Sequence, residues 1–427
     1  MLSGPKRPIF LSQSRPPNQL HNKIKKMNSV FLIDGIRTPI GNLGGALATV
    51  RPDDMLALAL KTLLERNPQL DPKAVGDVII GCANQAGEDN RNVARMATLL
   101  AGMPVEVPAQ TINRLCASGL AAAIDASRAI MTGDADCMIS GGVEQMTRAP
   151  WVISKTSSAF GRDAQMFDSS FGWRFINPLM QQLYGTEAMG ETAENLAVRD
   201  KISREDQDAF AVLSQQKAWE AQQNGVLDQE IFPVEIPQKR GDIIIFNRDE
   251  FVKPQTTPEG LAKLRPAFRK DGTVTAGNAS GLNDGAAALL FASEGAVIAH
   301  NFQPLARIVS MGVAGVAPGI MGIGPVAATE KALKKAKLRI SDMDVIELNE
   351  AFAAQALACM RAWGLADDDP RVNPNGGAIA LGHPLGMSGA RILLAAAREL
   401  ERSHKRYALV TMCIGVGQGY AVVIERS

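Results

Sequence analysis

Two cysteines, one histidine and one asparagine stand out in this 427-residue chain because of what surrounds them. Cys116, in Asn113-Arg-Leu-Cys-Ala-Ser-Gly-Leu, stands at a predicted helix start. Free backbone N–H groups and the helix dipole there favour a thiolate, which a nucleophilic cysteine needs. The ordinary alternative is a small buried hydrophobe. His383 is gripped between Gly382 and Pro384 in Ala380-Leu-Gly-His-Pro-Leu-Gly-Met-Ser-Gly. Such a rigid turn gives a base a fixed direction, although a hydrogen-bonded turn histidine would look the same. The chain has 4 histidines, and His21 and His404 lie in basic, polar surroundings. Asn349 opens Asn349-Glu-Ala-Phe-Ala-Ala-Gln and suits either a helix cap or a donor turned into a site. Cys413 precedes the run Gly415-x-Gly417-x-Gly419. A dinucleotide-binding glycine run should open a helix inside a strand–helix–strand unit. This one leads instead into an apolar strand, so a tight turn aiming backbone N–H groups into a cavity fits better. Residues 273–288 crowd small side chains together, as where a ligand or another backbone approaches closely.

These residues need elements to hold them. From Ser29 onward, β-branched runs alternate with Ala-rich amphipathic stretches, the pattern of α/β layers. The pattern predicts strands over 29–34, 77–82, 136–140, 306–311, 344–347, 408–412 and 420–424. It predicts helices over 52–66, 117–130, 204–221, 326–335, 350–363 and 389–401. The two ends of the chain read as copies. Asp77-Val-Ile-Ile matches Asp344-Val-Ile-Glu, and Cys116 follows Asp77 by the same 39 residues that separate His383 from Asp344. A small-residue helix start follows each, then an apolar strand and a glycine turn. Two halves related by a pseudo-twofold would bring those helix starts together, Cys116 beside His383. The expected organisation is an N-terminal half over 27–147, a loop domain over 148–270 above the site, and a C-terminal half over 271–427. Residues 1–26 carry six basic residues and no acidic one. They read as a disordered basic arm or an upstream start, with Met27 the natural beginning.

Length alone suggests two core units. The net charge of +1 excludes bulk electrostatic attraction to nucleic acid or a membrane surface, and no apolar run reaches membrane-spanning length. Cys82, Cys116, Cys137, Cys359 and Cys413 form no CxxC pair and no zinc-spaced cluster, so no metal is expected. An odd cysteine count without an export signal fits a reducing cytoplasm.

Asn113-Arg-Leu-Cys, Asn349-Glu-Ala-Phe-Ala, Gly377-Ala-Ile-Ala-Leu-Gly-His-Pro-x-Gly-x-Ser-Gly and Cys413-Ile-Gly-x-Gly resemble the four signatures of the thiolase family, in family order. The resemblance covers the chain from about Met27 to its end. It implies an α/β thiolase fold: two pseudo-twofold-related halves in five layers (αβαβα), with an inserted loop domain. It implies that Cys116 is the acylated nucleophile and that His383 activates thiols. Cys413 would be acid and base at the α-carbon. Asn349 would hold a water that, with the histidine, stabilises the thioester oxyanion, and the N–H groups of Cys116 and Gly415 would form a second oxyanion hole. No cofactor is bound permanently; coenzyme A is a substrate. Its pantetheine arm would run along Met189, Ala276, Ser280 and Phe352, near Lys253. Acetoacetyl-CoA-forming members tend to have Arg at Lys253 and Ser at Gly260, which weakens the detail of CoA binding. Members form homodimers or homotetramers.

Residues 81–95 and 172–179 resemble the thiolases that cleave 3-oxoadipyl-CoA in the β-ketoadipate route of aromatic degradation. A substrate ending in a carboxylate needs a cation near that end; Arg91 and Arg174 stand in these segments, and Arg148, at the start of the loop domain between them, is the third candidate. An ordinary salt bridge is the competing use of each. The rival within the family is an acetyl-CoA C-acetyltransferase acting on acetoacetyl-CoA. A decarboxylating ketoacyl synthase would want histidine at Asn349, and a noncatalytic lipid carrier would leave Cys116 and His383 without purpose.

Overall fold

The structure, a computed structural model, describes residues 27–238 and 241–427; the expectation for residues 1–26 lies outside them. Strands Val30–Arg37 (β1), Val75–Gly81 (β2), Ala109–Ile112 (β3), Cys137–Gln145 (β4) and Asn283–Ser293 (β5) form one leaf of a large sheet, in the order β3-β2-β4-β5-β1. Ala306–Gly315 (β6), Val345–Leu348 (β7), Tyr407–Ile414 (β8) and Gln418–Arg426 (β9) form the other, in the order β7-β8-β9-β6. Among the described residues, the leaves are paired only where Phe31 and Leu32 meet Arg307 and Ala306. Strand for strand, β2-β4-β5-β1 repeats as β7-β8-β9-β6. The first pair in each set is parallel and the other two pairs are antiparallel. The repeat inferred from the sequence is thus a repeat of strand order.

β4 and β5 are buried along their whole length, so both faces must be covered. Helices Pro52–Arg66 (α1) and Val93–Leu100 (α2) pack outside the first leaf. Ser118–Thr132 (α3) and, far along the chain, Leu385–Ser403 (α8) fill the space between the leaves. Gly324–Ala336 (α6) and Ala353–Ala362 (α7) cover the second leaf. The result is five layers. Helix starts carry the expected chemistry: α1 has Pro52 first and Asp53 and Asp54 in its opening turn.

β5 was read from sequence as small-residue packing, not as a strand. Its alanines have poor strand propensity, but bulkier residues would not fit: a Cβ on Gly141, opposite Ala288, would sit 2.0 Å from the Ala287 oxygen. Because β5 pairs with β1 and β4, residues 283–293 complete the first half. The long insertion therefore interrupts the first half, between β4 and β5, instead of separating the halves. Its counterpart in the second half is the three-residue turn 415–417 between β8 and β9. The insertion carries Met189–Asp200 (α4) and Arg204–Gln223 (α5), the latter begun by a Ser203–Asp206 capping box.

Candidate active site

The nucleophile candidate lies in a tight turn from β3 into α3. Leu115 is held at φ 49°, a left-handed conformation that is an outlier for a bulky residue. The turn is over-determined by hydrogen bonds. Asn113 Oδ1 accepts the Leu115 N–H (2.8 Å), and Asn113 Nδ2 donates to the Ala83 carbonyl (2.8 Å). Ser118 Oγ accepts the Arg114 N–H (2.8 Å) and donates to the Leu115 carbonyl (2.7 Å). Strain held this firmly is typical of functional sites. The backbone N–H groups of Gly415 and of Cys116 itself favour the Cys116 thiolate.

His383 sits between a one-turn helix, Ala378–Leu381, and α8. Gly382 adopts φ 103°, and a Cβ there would strike the Asn283 side chain. That side chain accepts the His383 N–H through Oδ1 (3.0 Å). His383 Nδ1 lies 2.6 Å from Ser388 Oγ, whose own proton goes to the Pro384 carbonyl (2.8 Å). Nδ1 must then be the donor, which leaves Nε2 as the free base. Nε2 faces Asn349 Nδ2 at 3.4 Å, while Asn349 Oδ1 has no partner among the described residues. A buried amide oxygen without a partner is what a bound water would satisfy. Asn349 is anchored by its N–H to the Thr411 carbonyl (3.0 Å), two residues before Cys413.

Close packing of glycines brings the two helix starts together. A Cβ on Gly119 would lie 2.5 Å from the Gly386 oxygen, and one on Gly389 would lie 2.3 Å from the Leu120 nitrogen. Gly119 stands three residues after Cys116, and Gly386 three after His383. Contact between α3 and α8 at equivalent points brings together the two helix starts that carry the cysteine and the histidine.

Burial governs the electrostatics. It pushes the Cys116 thiol up; the Gly415 and Cys116 N–H groups pull it back only in part, and Glu144 adds to the rise. This differs from the sequence expectation of a depressed thiol, because Cys116 is half-buried and its desolvation outweighs the two N–H groups. Burial first, then Arg391, pushes His383 down to about 3. Burial lifts Cys413 well above an ordinary thiol, with Cys116 adding to the rise. The resting site is neutral, with two thiols and an uncharged imidazole.

One wall of this site is apolar. Met189, Phe352 and Cys413 share a cluster with Ala279, Ala351 and Ala354. Ala279 bridges to Phe352, Ser280 donates its N–H to the Ala351 carbonyl (3.0 Å), and the Phe268 ring stands edge-on to Phe352 at 6.1 Å. Ala276 lies exposed at the rim. Lys253 is also exposed; its N–H donates to Gln215 Oε1 (2.8 Å) and its ammonium sits 4.4 Å above the Phe251 ring.

The geometry agrees with comparisons to known proteins. Residues 30–295 match the family described as thiolase, N-terminal domain, and residues 302–426 match thiolase, C-terminal domain. The chain belongs to the thiolase family. It is an acyltransferase. The chain is 61% identical over 400 residues to the 3-oxoadipyl-CoA/3-oxo-5,6-dehydrosuberyl-CoA thiolase of Escherichia coli (strain K12), covering 94% of this chain and 100% of that protein. It is 57% identical to the beta-ketoadipyl-CoA thiolase of Pseudomonas putida, with the same coverage of both chains. Human mitochondrial 3-ketoacyl-CoA thiolase in complex with CoA superposes with a TM-score of 0.87 at 44% identity, covering 94% of this chain and 99% of that one.

In this thiolase the three candidate arginines part company. Arg148 is committed to Glu88 through two hydrogen bonds (2.6 and 2.7 Å), which also hold the Glu88 carboxyl below its ordinary range. Arg91 is exposed at a left-handed position (φ 53°) before α2. Arg174 reaches from the loop domain to Asn84, donating from Nη2 to Oδ1 (2.7 Å). Asn84 neighbours Ala83, whose carbonyl holds the nucleophile's turn. Ser388 and Asn283 were missed as site residues although both lie in segments read as functional; no residue pattern reveals which atom a hydroxyl or amide will face. No described helix is long and apolar enough to cross a membrane.

Proposed function

We propose that this enzyme cleaves 3-oxoadipyl-CoA with free CoA, giving succinyl-CoA and acetyl-CoA through an acyl-Cys116 intermediate. The observation that carries the reading is the packing of the two helix starts that hold Cys116 and His383, with His383 Nδ1 tied to Ser388 so that Nε2 is the basic nitrogen; the Gly415 and Cys116 N–H groups favour the thiolate. The names of the relatives at 57–61% identity support the acyl chain.

His383 takes the Cys116 proton and the thiolate attacks the 3-oxo carbon. The tetrahedral oxyanion forms where the Cys116 and Gly415 N–H groups converge; one such donor is worth roughly 10²–10³ in rate. The C2–C3 bond breaks. The enolate oxygen of the departing acetyl-CoA is held by protonated His383 and an Asn349-bound water, and Cys413 protonates C2. Cys413 regains its proton from His383. The incoming CoA thiol then gives its proton to His383 and attacks the acyl-cysteine, and succinyl-CoA leaves as Cys116 departs and is reprotonated. The neutral resting site suits this sequence, since each ionisation is created by transfer within the site and none has to be stored. CoA would lie along Met189, Ala276, Ser280 and Phe352, with Lys253 near its polar end, as a substrate and not a resident group.

Arg174, with Asn84, is the best placed of the three arginines to receive the far carboxylate. Arg174→Ala should lower kcat/KM for 3-oxoadipyl-CoA by about 10- to 100-fold, the worth of one charge-assisted hydrogen bond, and leave acetoacetyl-CoA cleavage unchanged. Equal losses on both substrates would remove Arg174 from the carboxylate role. The deciding assay mixes the protein, 3-oxoadipyl-CoA and CoA and looks for succinyl-CoA and acetyl-CoA by chromatography. Turnover of acetoacetyl-CoA alone would establish the acetyltransferase instead.

The enzyme would work in the cytoplasm as a homodimer or homotetramer. β3 ends the sheet with one side unpaired among the described residues, and Trp151, Ile153 and Met166 are exposed on a hairpin of the loop domain. Light scattering at micromolar concentration should give two or four times the chain mass; a monomer would contradict it.

A further inference from the structure

Glu144, the next-to-last residue of β4, is 2% exposed and has no part in the chemistry above. Its Oε2 accepts the N–H groups of Ala83 (2.9 Å) and Gly386 (2.8 Å), and its Oε1 accepts that of Asn84 (3.1 Å). These donors come from both halves. Ala83 and Asn84 form the loop after β2, beside the nucleophile's turn and Arg174. Gly386 is the second residue of α8, three beyond His383. The first N–H groups of a helix have no partner within it and attract negative charge. Glu144 supplies that partner from the other half of the molecule. Gly386 is also pinned sterically, since a Cβ there would lie 2.4 Å from the Val143 oxygen.

We propose that Glu144 is a positioning residue: its ionised carboxylate fixes the start of α8, and with it His383, against the loop that carries Ala83 and Asn84. The proposal rests on the thiolase reading only for the role of His383.

The surroundings make the ionisation of Glu144 sensitive to pH. Burial, with the nearby Asp89 charge adding, lifts it to about 7 despite its three donors. The groups facing it are the Cys82 thiol, Asp89 and Cys116. Ligand atoms of Cys82, Asp89 and Glu144 lie within 4.8 Å of one another, a spacing a cation could use. The Asp89 oxygens, however, already accept the Gln85 N–H (3.0 Å), the Gly87 N–H (2.8 Å) and the Cys82 thiol (3.6 Å). The cluster is a set of carboxylates satisfied by backbone donors. Protonating Glu144 would place an O–H against an N–H and loosen one of the three bonds. Positioning is thus complete above that pH and weakens as pH falls through it.

Glu144→Gln tests this. The amide oxygen can still serve Ala83 and Gly386, but the NH₂ group meets the Asn84 N–H donor to donor. Thiolysis by Glu144→Gln should show kcat reduced by roughly 10- to 100-fold, as for other supporting residues, with KM changed by less than about threefold. The wild-type kcat profile should show an acidic limb near neutrality, and Glu144→Gln should lack it. Glu144→Asp keeps a titrating carboxylate, so it should retain the limb at a displaced pH and recover part of kcat; it carries the test alone if the Gln variant does not fold. Variants with lowered melting temperature but unchanged kcat and pH profile would overturn the proposal and leave Glu144 a stabilising group only. Wild-type protein inert on every 3-oxoacyl-CoA would instead overturn the thiolysis reading.

Discussion

The imidazole of His383 is held by one hydroxyl. Ser388 Oγ, 2.6 Å from Nδ1, fixes the tautomer because its own proton is directed to the Pro384 carbonyl. Ser388→Ala removes the only acceptor for Nδ1 among the described residues without disturbing Cys116. The ring can then turn or populate the other tautomer, and kcat should fall by roughly 10- to 100-fold with KM nearly unchanged. Steady-state thiolysis measures this; a kcat within twofold of wild type would mean that burial alone orients the ring. A buried cation on the same helix is Arg391, 1% exposed, whose Nε and Nη2 have no partner among the described residues. It lies three residues, just under one turn, beyond Ser388 on α8, and its charge adds to the depression of His383.

At the scale of elements, the site depends on how closely α3 and α8 can approach. Glycines allow it. Gly389→Ala would place a methyl 2.3 Å from the Leu120 nitrogen and 2.9 Å from its Cα, backbone atoms that cannot swing aside. The helices must then separate, at a cost of about 1–3 kcal/mol for an overpacked core, and Cys116 and His383 move apart with them. A displacement near 1 Å at reacting groups costs on the order of 10²-fold in rate. Gly389→Ala should therefore lower the melting temperature by several degrees and kcat by about 100-fold, read by calorimetry and thiolysis together. Unchanged kcat at lowered stability would uncouple the helix contact from the chemistry. Gly295 serves as a control, since a Cβ there meets only the Ser293 hydroxyl at 3.7 Å, an ordinary contact. The insertion after β4 also belongs to this scale: the same hairpin position holds three residues in one half and a domain in the other.

At the scale of the whole molecule, pH acts through buried groups shifted in opposite senses. Glu347 is lifted to about 8 by burial, and its Oε2 has no partner among the described residues. A carboxyl whose folded pKa lies above its unfolded value contributes stability that is fully present at acid pH and is lost as pH rises through about 8. His383, pushed down to about 3, acts from the other side. The unfolded chain takes up its proton first, so stability falls as pH drops from about 6.5 towards 3. Glu144, lifted to about 7, and Asp284, lifted to about 6, act in the same sense as Glu347 and together outweigh His383, so the melting temperature should be highest near pH 4 and decline on both sides. Glu347→Gln should flatten the alkaline decline, gaining a few degrees over wild type between pH 6 and 9 while changing little at pH 5. Parallel alkaline declines in the two proteins would show that other groups control the limb.

The sequence by itself determined the alternation of strands and helices and the internal copy, and it singled out Cys116, His383, Asn349 and Cys413 as candidates. Those features are local: periodicity of apolar residues, glycine and proline turns, and short runs around each reactive side chain. It could not give the strand at 283–293. Alanine and glycine are poor strand formers until helices on both faces leave room for nothing larger, and that is a fact of packing. It misjudged the ionisation of Cys116, because a helix start lowers a thiol pKa only where burial does not outweigh it. It gave three arginines and no way to choose among them, since the choice depends on which guanidinium finds a carboxylate and which finds an amide. Ser388, Asn283 and Glu144 were silent for the same reason. Their roles arise from contacts between residues far apart in the chain, and only the tertiary structure fixes which atom faces which.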